Sequence, residues 1–197
     1  MASHRAVMAV CQAVVDRLQA AYQPGDFGAA LQFQVYLAKD FQKPMDAGVS
    51  LFLYRVYPNP VQRTPPGRTG PDGRRLRSQL PLDLHFLLTA WAQDATLQHA
   101  VTGWMMRVLE DLPTLPSGLL NTKYGSVFRA DEQVEVTLAE LPTEEMFRIW
   151  EVIAHHAYQL SVPYLARNVR IESERGEGAG EPIQERDLRF GDSVAGG

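Results

Sequence analysis

The stretch Leu80–Pro113, LPLDLHFLLTAWAQDATLQHAVTGWMMRVLEDLP, constrains the fold of this chain more than any other. In its first half Leu80, Leu82, Leu84, Phe86, Leu88 and Ala90 alternate with Pro81, Asp83, His85, Leu87, Thr89 and Trp91. This period of two is what a strand with one face in a core requires. Asp94 then stands where an N-cap acceptor belongs, and Leu97, Val101, Trp104, Met105, Val108 and Leu112 recur at helical spacing until Pro113 and Pro116 end the run. A long strand feeding directly into an amphipathic helix commits the chain to a sheet with helices packed on it.

The flanking segments extend that plan. Ser3 precedes a helix in which Val7, Val10, Cys11, Val14, Leu18 and Ala21 form the apolar face, ended by Gln23-Pro24-Gly25. LQFQVYL at 31–37 alternates, which predicts a half-buried strand with Leu31, Phe33, Val35 and Leu37 inward. VSLFLYRVY at 49–57 is apolar on both faces, as a strand covered on two sides is. A hairpin is expected from strands near 125–129 and 133–139 with Ala130 and Asp131 in its turn. Thr143 starts a third helix with Met146, Phe147, Trp150 and Ile153 buried, and 158–173 reads as a last long strand. Pro163 lacks an N–H, so that strand is expected at a sheet edge or with a bulge. The fold class is α+β: a mixed, mainly antiparallel sheet with about three helices.

Two segments do not fit a packed element. Residues 58–79, PNPVQRTPPGRTGPDGRRLRSQ, are rich in proline, glycine and arginine and predict a long exposed loop. Residues 174–197 are rich in Gly, Glu and Arg and predict a flexible acidic arm after a single domain spanning 1–173. The net charge is −4, but its distribution is uneven. Arg55, Arg63, Arg68, Arg74, Arg75 and Arg77 face only Asp72, whereas seven acids follow Ile171 against Arg175, Arg186 and Arg189. The candidate contact residues are therefore Arg63, Arg68, Arg74, Arg75 and Arg77 in the loop, with Ile183, Leu188 and Phe190 as apolar anchors in the arm.

Chemistry is harder to find. The lone Cys11 lies on a helix's apolar face, which excludes an intramolecular disulfide and reads as a small buried hydrophobe. Asp83 and His85 share a strand face, but His99, His155 and His156 add no recognised ligand spacing, so no metal or cofactor is expected. There is no GxSxG elbow and no phosphate loop, and GEGAG at 176–180 lacks a strand-to-helix setting, so no catalytic residue and no enzyme activity are expected. The arginine loop contains no aromatic residue after Tyr57 and the chain is acidic overall, which argues against nucleic acid. No run of about 18 apolar residues exists and the first residues lack a signal-type apolar region, so a soluble protein assembled in the cytoplasm is expected, with no membrane partner.

Three runs in this order, Leu53–Asn59 (LYRVYPN), Pro81–His85 (PLDLH) and Leu160–Ile171, together resemble the tube-terminator, or cap, family of extracellular contractile injection systems of the antifeeding-prophage class. The likeness spans residues 3–173. It implies a small α+β subunit that forms a sixfold ring on the distal end of an inner tube, stops its growth and engages the last sheath ring. The partners it implies are further copies of the chain as a homohexamer, the tube protein, the sheath protein and a tape-measure protein, within a particle that stays in the cytoplasm or is released. It implies no active site. The residues alone also allow another class, a soluble non-enzymatic adaptor or accessory protein-binding domain.

Overall fold

A computed structural model describes residues 3–61, 78–154 and 158–173. Along the chain run α1 (Ala6–Ala21), β1 (Gln32–Tyr36), a 3-10 turn (Ala38–Gln42), β2 (Gly48–Pro58), β3 (Gln79–Trp91) and α2 (Ala95–Asp111). There follow β4 (Thr114–Pro116), α3 (Ser117–Leu120), β5 (Gln133–Leu138), α4 (Thr143–Ala154) and β6 (Ser161–Glu172). The six strands form one sheet in the order β1-β2-β3-β6-β5-β4, with β1 and β2 parallel and every other pair antiparallel. The α+β architecture expected from the sequence is present, with the short α3 added to the three longer helices.

The sheet has a core on each face because its central strand is apolar on both. Leu82, Leu84, Phe86, Leu88 and Ala90 of β3 point toward α1, α2 and α3 and are buried there, while Leu87 and Trp91 point toward α4 and the 3-10 turn. Leu80 is the exception to the predicted face, half-exposed at the strand's start. α1 is buried over more of its circumference than its stripe predicts, since Ala6, Ala9, Ala13 and Val15 join Val10, Cys11, Val14 and Leu18 inside. It packs on β1, β2, β6, α2 and α3, and small side chains let the helix approach several elements at once. The Ser3 hydroxyl does not cap α1 but accepts the Arg5 N–H at 3.2 Å, while the Ser3 carbonyl accepts the Ala6 N–H at 2.9 Å. Asp94 accepts the Leu97 N–H at 2.9 Å, so the α2 cap is the one its sequence predicts.

Four expectations need correction. Residues 125–129 form no strand; β5 pairs instead with β4, while Val127 and Phe128 are buried by a loop that Asn121 holds, its Oδ1 accepting both of their N–H groups at 2.9 and 2.8 Å. Their apolarity signalled burial rather than a ladder. Of the edge and the bulge allowed for β6, the edge is ruled out: it is an interior strand between β3 and β5, with a register shift at Ala166–Val169 rather than at Pro163. Pro163 is accommodated because β5 pairing stops at Leu138 opposite Tyr164, and beyond it Ala139 donates to the Pro163 carbonyl at 3.0 Å, an interaction that needs no proline N–H. The segment 31–37 around β1 buries Leu31 and Tyr36 but leaves Val35 and Leu37 exposed, since the sheet ends there. Phe147 also lies at the surface, its ring 5.3 Å from that of Tyr158.

At Gly48, the first residue of β2, φ is +147° and an added Cβ would lie 2.0 Å from the Gln32 carbonyl oxygen. Glycine there lets β1 and β2 start side by side.

Candidate interaction surface

β2, β3 and β6 all reach the same end of the sheet, and two polar clusters hold that end in shape. The first is built on Asp83. β3 and β6 slip register between Leu82 and Leu84, and Asn168 adopts φ +56° there, a conformation asparagine tolerates better than most residues. The Asp83 carboxylate accepts the Asn168 N–H at 3.0 Å and the Asn59 side-chain amide at 3.1 and 3.3 Å. Asn59 Oδ1 in turn accepts the Val61 N–H at 3.1 Å, and the Asn59 N–H donates to the Pro81 carbonyl at 2.9 Å. The residue examined as a metal ligand is thus the acceptor that fixes a bulge and the exit of β2.

The second cluster surrounds Glu172, which is only 4 % exposed. Arg129 Nη2 donates to both its carboxylate oxygens, at 2.8 and 2.7 Å, and Gln79 Nε2 to one at 2.7 Å. A buried carboxylate needs such donors, because burial without them is far costlier than the bonds gain. Beside it a cavity of about 270 Å³ opens between Gln79, Phe128, Arg129, Glu132, Asn168 and Arg170.

These clusters stand where residues 62–77 and 174–197 join the described sheet. The Ser173 N–H donates to the Ser78 carbonyl at 3.1 Å, and Gln79 pairs with Glu172 in register. The arginine-rich loop therefore rejoins the sheet next to the strand from which the acidic arm departs. Arg63, Arg68, Arg74, Arg75 and Arg77, and Ile183, Leu188 and Phe190, lie outside the described residues. The predicted loop boundary is corrected at both ends, since Pro58 belongs to β2 and Gln79 to β3.

The α4 face of the sheet offers an apolar surface. Phe52, Tyr54, Arg148, Ile149, Val152 and Ile153 line a groove of about 330 Å³, with Val152 78 % exposed. Next to it Arg55 stacks over Tyr57, its Cζ 4.6 Å from the ring centroid. Val56, Tyr57 and Val61 are exposed at the same end. Burial lowers the pKa of His85 and Arg55 lowers it further, so the imidazole is neutral at physiological pH. Among the described residues no three His, Cys, Asp or Glu side chains group as metal ligands, and His155 and His156 lie outside them. Burial pushes the Cys11 thiol up to about 12, which leaves it without thiolate character.

The pattern of the family described as Pvc16 N-terminal domain matches residues 9–185. The chain belongs to the Pvc16 N-terminal domain family. Two solved structures share its fold. One is the sheath/tube terminator of PVC, an extracellular contractile injection system, in its extended state, with a TM-score of 0.60 and 17 % identity over 97 % of this chain and 65 % of that one. The other is the tube-terminating cap of the anti-feeding prophage, with a TM-score of 0.61 and 15 % identity over 92 % of this chain and 60 % of that one. The chain thus spans less than two thirds of the length of each. No curated protein sequence matches it. The family match runs past Glu172 to residue 185. No helix among the described residues is long and apolar enough to cross a membrane.

Asn168 was the available sequence signal for the Asp83 cluster, since an asparagine inside a strand marks a left-handed position. The Arg129–Glu172 pair had none, because its members are 43 residues apart and only the sheet order brings them together.

Proposed function

We propose that this chain is a structural cap subunit of a contractile injection particle. It forms a sixfold ring on the distal end of the inner tube, stops tube growth and engages the last sheath ring, with the tube, sheath and tape-measure proteins as partners. The observation that carries this reading is the match of nearly the whole chain to two terminating caps, at TM-scores of 0.60 and 0.61, together with family membership. The role is mechanical, and the described surface suits it: bulge, buried ion pair and apolar groove make contacts and hold shape.

A ring of identical subunits needs two different complementary patches on each copy. The loop 62–77 carries five arginines against Asp72, and the arm 174–197 carries six acids against three arginines. Leaving from adjacent positions, they supply opposite charge at one end of the sheet. Arg63, Arg68, Arg74, Arg75 and Arg77 in this reading meet a neighbouring cap, tube or sheath subunit.

The test is the length distribution of inner tubes, by electron microscopy of particles from cells with and without the protein. Overlong, variable or missing particles in its absence, restored by the intact chain, are expected. Unchanged lengths with normal sheaths would reject the reading and favour an adaptor.

A further inference from the structure

We propose that the outer edge of β2 from Leu53 to Pro58, with the groove beside α4, is the docking site for residues Ile183–Phe190 of a second copy of this chain, added as a strand. β1 pairs with β2 only as far as Tyr36 opposite Phe52, yet β2 continues to Pro58. Among the described residues no strand pairs with that outer edge. A free row of N–H and C=O groups is a template for an incoming strand, and natural edges of this length are usually blunted. This one carries Arg55 and a register shift between Leu53 and Arg55, but no lysine and no proline before Pro58. An added strand would continue the line of β1 and cover the groove of Phe52, Tyr54, Ile149 and Val152.

The segment Ile183–Phe190, IQERDLRF, suits that position. It contains neither proline nor glycine, and Pro182 precedes it. Leu188 and Phe190 are two residues apart, so in an extended chain they share a face, while Ile183 falls on the other. The apolar groove is matched to the Leu188 and Phe190 face.

Topology assigns the donor to a neighbour. The arm leaves β6 at Ser173, two strands from β2, and the β2–β3 connection leaves the same end of the sheet between them. To reach the outer edge of β2 in its own subunit the arm would have to cross that connection, an arrangement chains avoid. A copy that donates its arm on one side and accepts one on the other makes a heterologous contact that closes a ring. The proposal rests on the ring reading for the presence of that neighbour. Ordering the arm costs conformational entropy, so one contact is weak and a closed ring of them is not.

Two full-length variants with tags of different size test it, one carrying Val56→Cys on the edge and the other Arg189→Cys in the arm. Cys11 is 5 % exposed with its thiol near 12 and does not compete. Oxidation of the mixed purified chains and of particles containing both should give a covalent product joining the two tags. Leu188→Asp with Phe190→Asp in the arm variant should lower its yield at least about tenfold, equal to about 1.4 kcal/mol, with Ile183→Asp less damaging. Absence of the joined product in both preparations overturns the proposal. So does a disulfide formed only within chains of the Val56→Cys/Arg189→Cys double variant, which places the arm in its own subunit, or a yield indifferent to Leu188→Asp with Phe190→Asp. Tube lengths that change on deletion without any cross-link would keep the cap reading and discard this site; a cross-link with unchanged tube lengths would do the reverse.

Discussion

The two faces of the sheet are built differently. On the α1 face, aliphatic side chains from every layer meet without a break: Val10, Val14 and Leu18 of α1 lie against Leu51, Leu84 and Leu88, and Leu109, Leu115 and Leu120 close the far side, each with 2 % exposure or less. On the α4 face the core is small and aromatic. Tyr36, Phe41, Trp91 and Trp150 sit around Leu87, with ring centroids 5.4 to 6.2 Å apart between Phe41, Trp91 and Trp150. Aromatic rings bury much area per residue, so a few of them can hold one helix and a turn on a sheet. They cover only part of it. Beyond Tyr54 β2 runs on past α4 and Tyr57 is left at the surface, as are Phe147 and Val152 of α4 itself. Among the described residues, one face is closed by the helices packed on it and the other only in part.

The comparison breaks first in the larger core. Phe86, 1 % exposed and stacked on Tyr164 at 6.0 Å, should cost about 3–5 kcal/mol on change to alanine. Chemical denaturation should show one cooperative transition moved to lower denaturant. Trp150→Ala removes a similar area from the other face, but hydrogen exchange should show its loss confined to α4 and the 3-10 turn, because those elements depend on it and α1 does not. A Trp150→Ala protein as globally destabilised as Phe86→Ala would show that the two faces form one unit.

Gly48→Ala acts on the joint between the faces. A Cβ there meets backbone at 2.0 Å in a conformation that L side chains rarely adopt, so β1 must shift or detach at a cost of about 2–3 kcal/mol. Exchange protection should fall in β1 before β3. Unchanged protection in β1 would show that the strand start has more play than the structure gives it.

Arg129→Ala leaves Glu172 buried with Gln79 as its remaining side-chain donor. Because Arg129 is itself 46 % exposed, the expected loss is about 1–3 kcal/mol, below that for a fully buried pair. Arg129→Ala with Glu172→Gln should recover much of it, and no recovery would mean that Arg129 acts by packing.

Legibility followed the same division between faces. The β3 pattern announced the core under α1, through Leu82, Leu84, Phe86 and Leu88, and Asp94 marked the start of α2 by its cap; the second core was signalled by β2, apolar on both faces, while the alternation of β3 hid the burial of Leu87, Thr89 and Trp91 on its other face. Local rules sufficed where local geometry decides. They left alternatives open where partners are remote: Pro163 allowed an edge or a bulge, β6 proves to be an interior strand with a bulge at 166–169, and the short length of β5 explains how it carries the proline. Val127 and Phe128 imitate a strand because burial under a loop and burial in a ladder select the same residues. The resemblance in LYRVYPN, PLDLH and 160–171 indicated the family correctly, and these runs prove to be the three adjacent strands β2, β3 and β6 at the sheet's centre. Their signal is that of a fold, which is why the contact residues could be drawn only from charge and composition.

The smallest effect expected is one of pH. His85 stands on the α4 face near the Tyr54 ring, at 6.1 Å between centroids, with Arg55 and Asp83 as its charged neighbours. Burial and Arg55 hold its folded pKa below the ordinary 6.5, and Asp83 opposes them without reversing the shift. The unfolded chain therefore takes up this proton first as pH falls. The contribution to stability is complete above pH 6.5 and is lost as pH drops below it toward the folded value. Denaturation midpoints should decline slightly between neutral pH and the lower end of that window, and His85→Gln should flatten the decline. The site lies at the margin of the α4 groove, so a partner covering it would desolvate the imidazole further. In assembled particles the same decline should then begin as the groove is uncovered, and an equal pH response of free and assembled protein would show that nothing docks there.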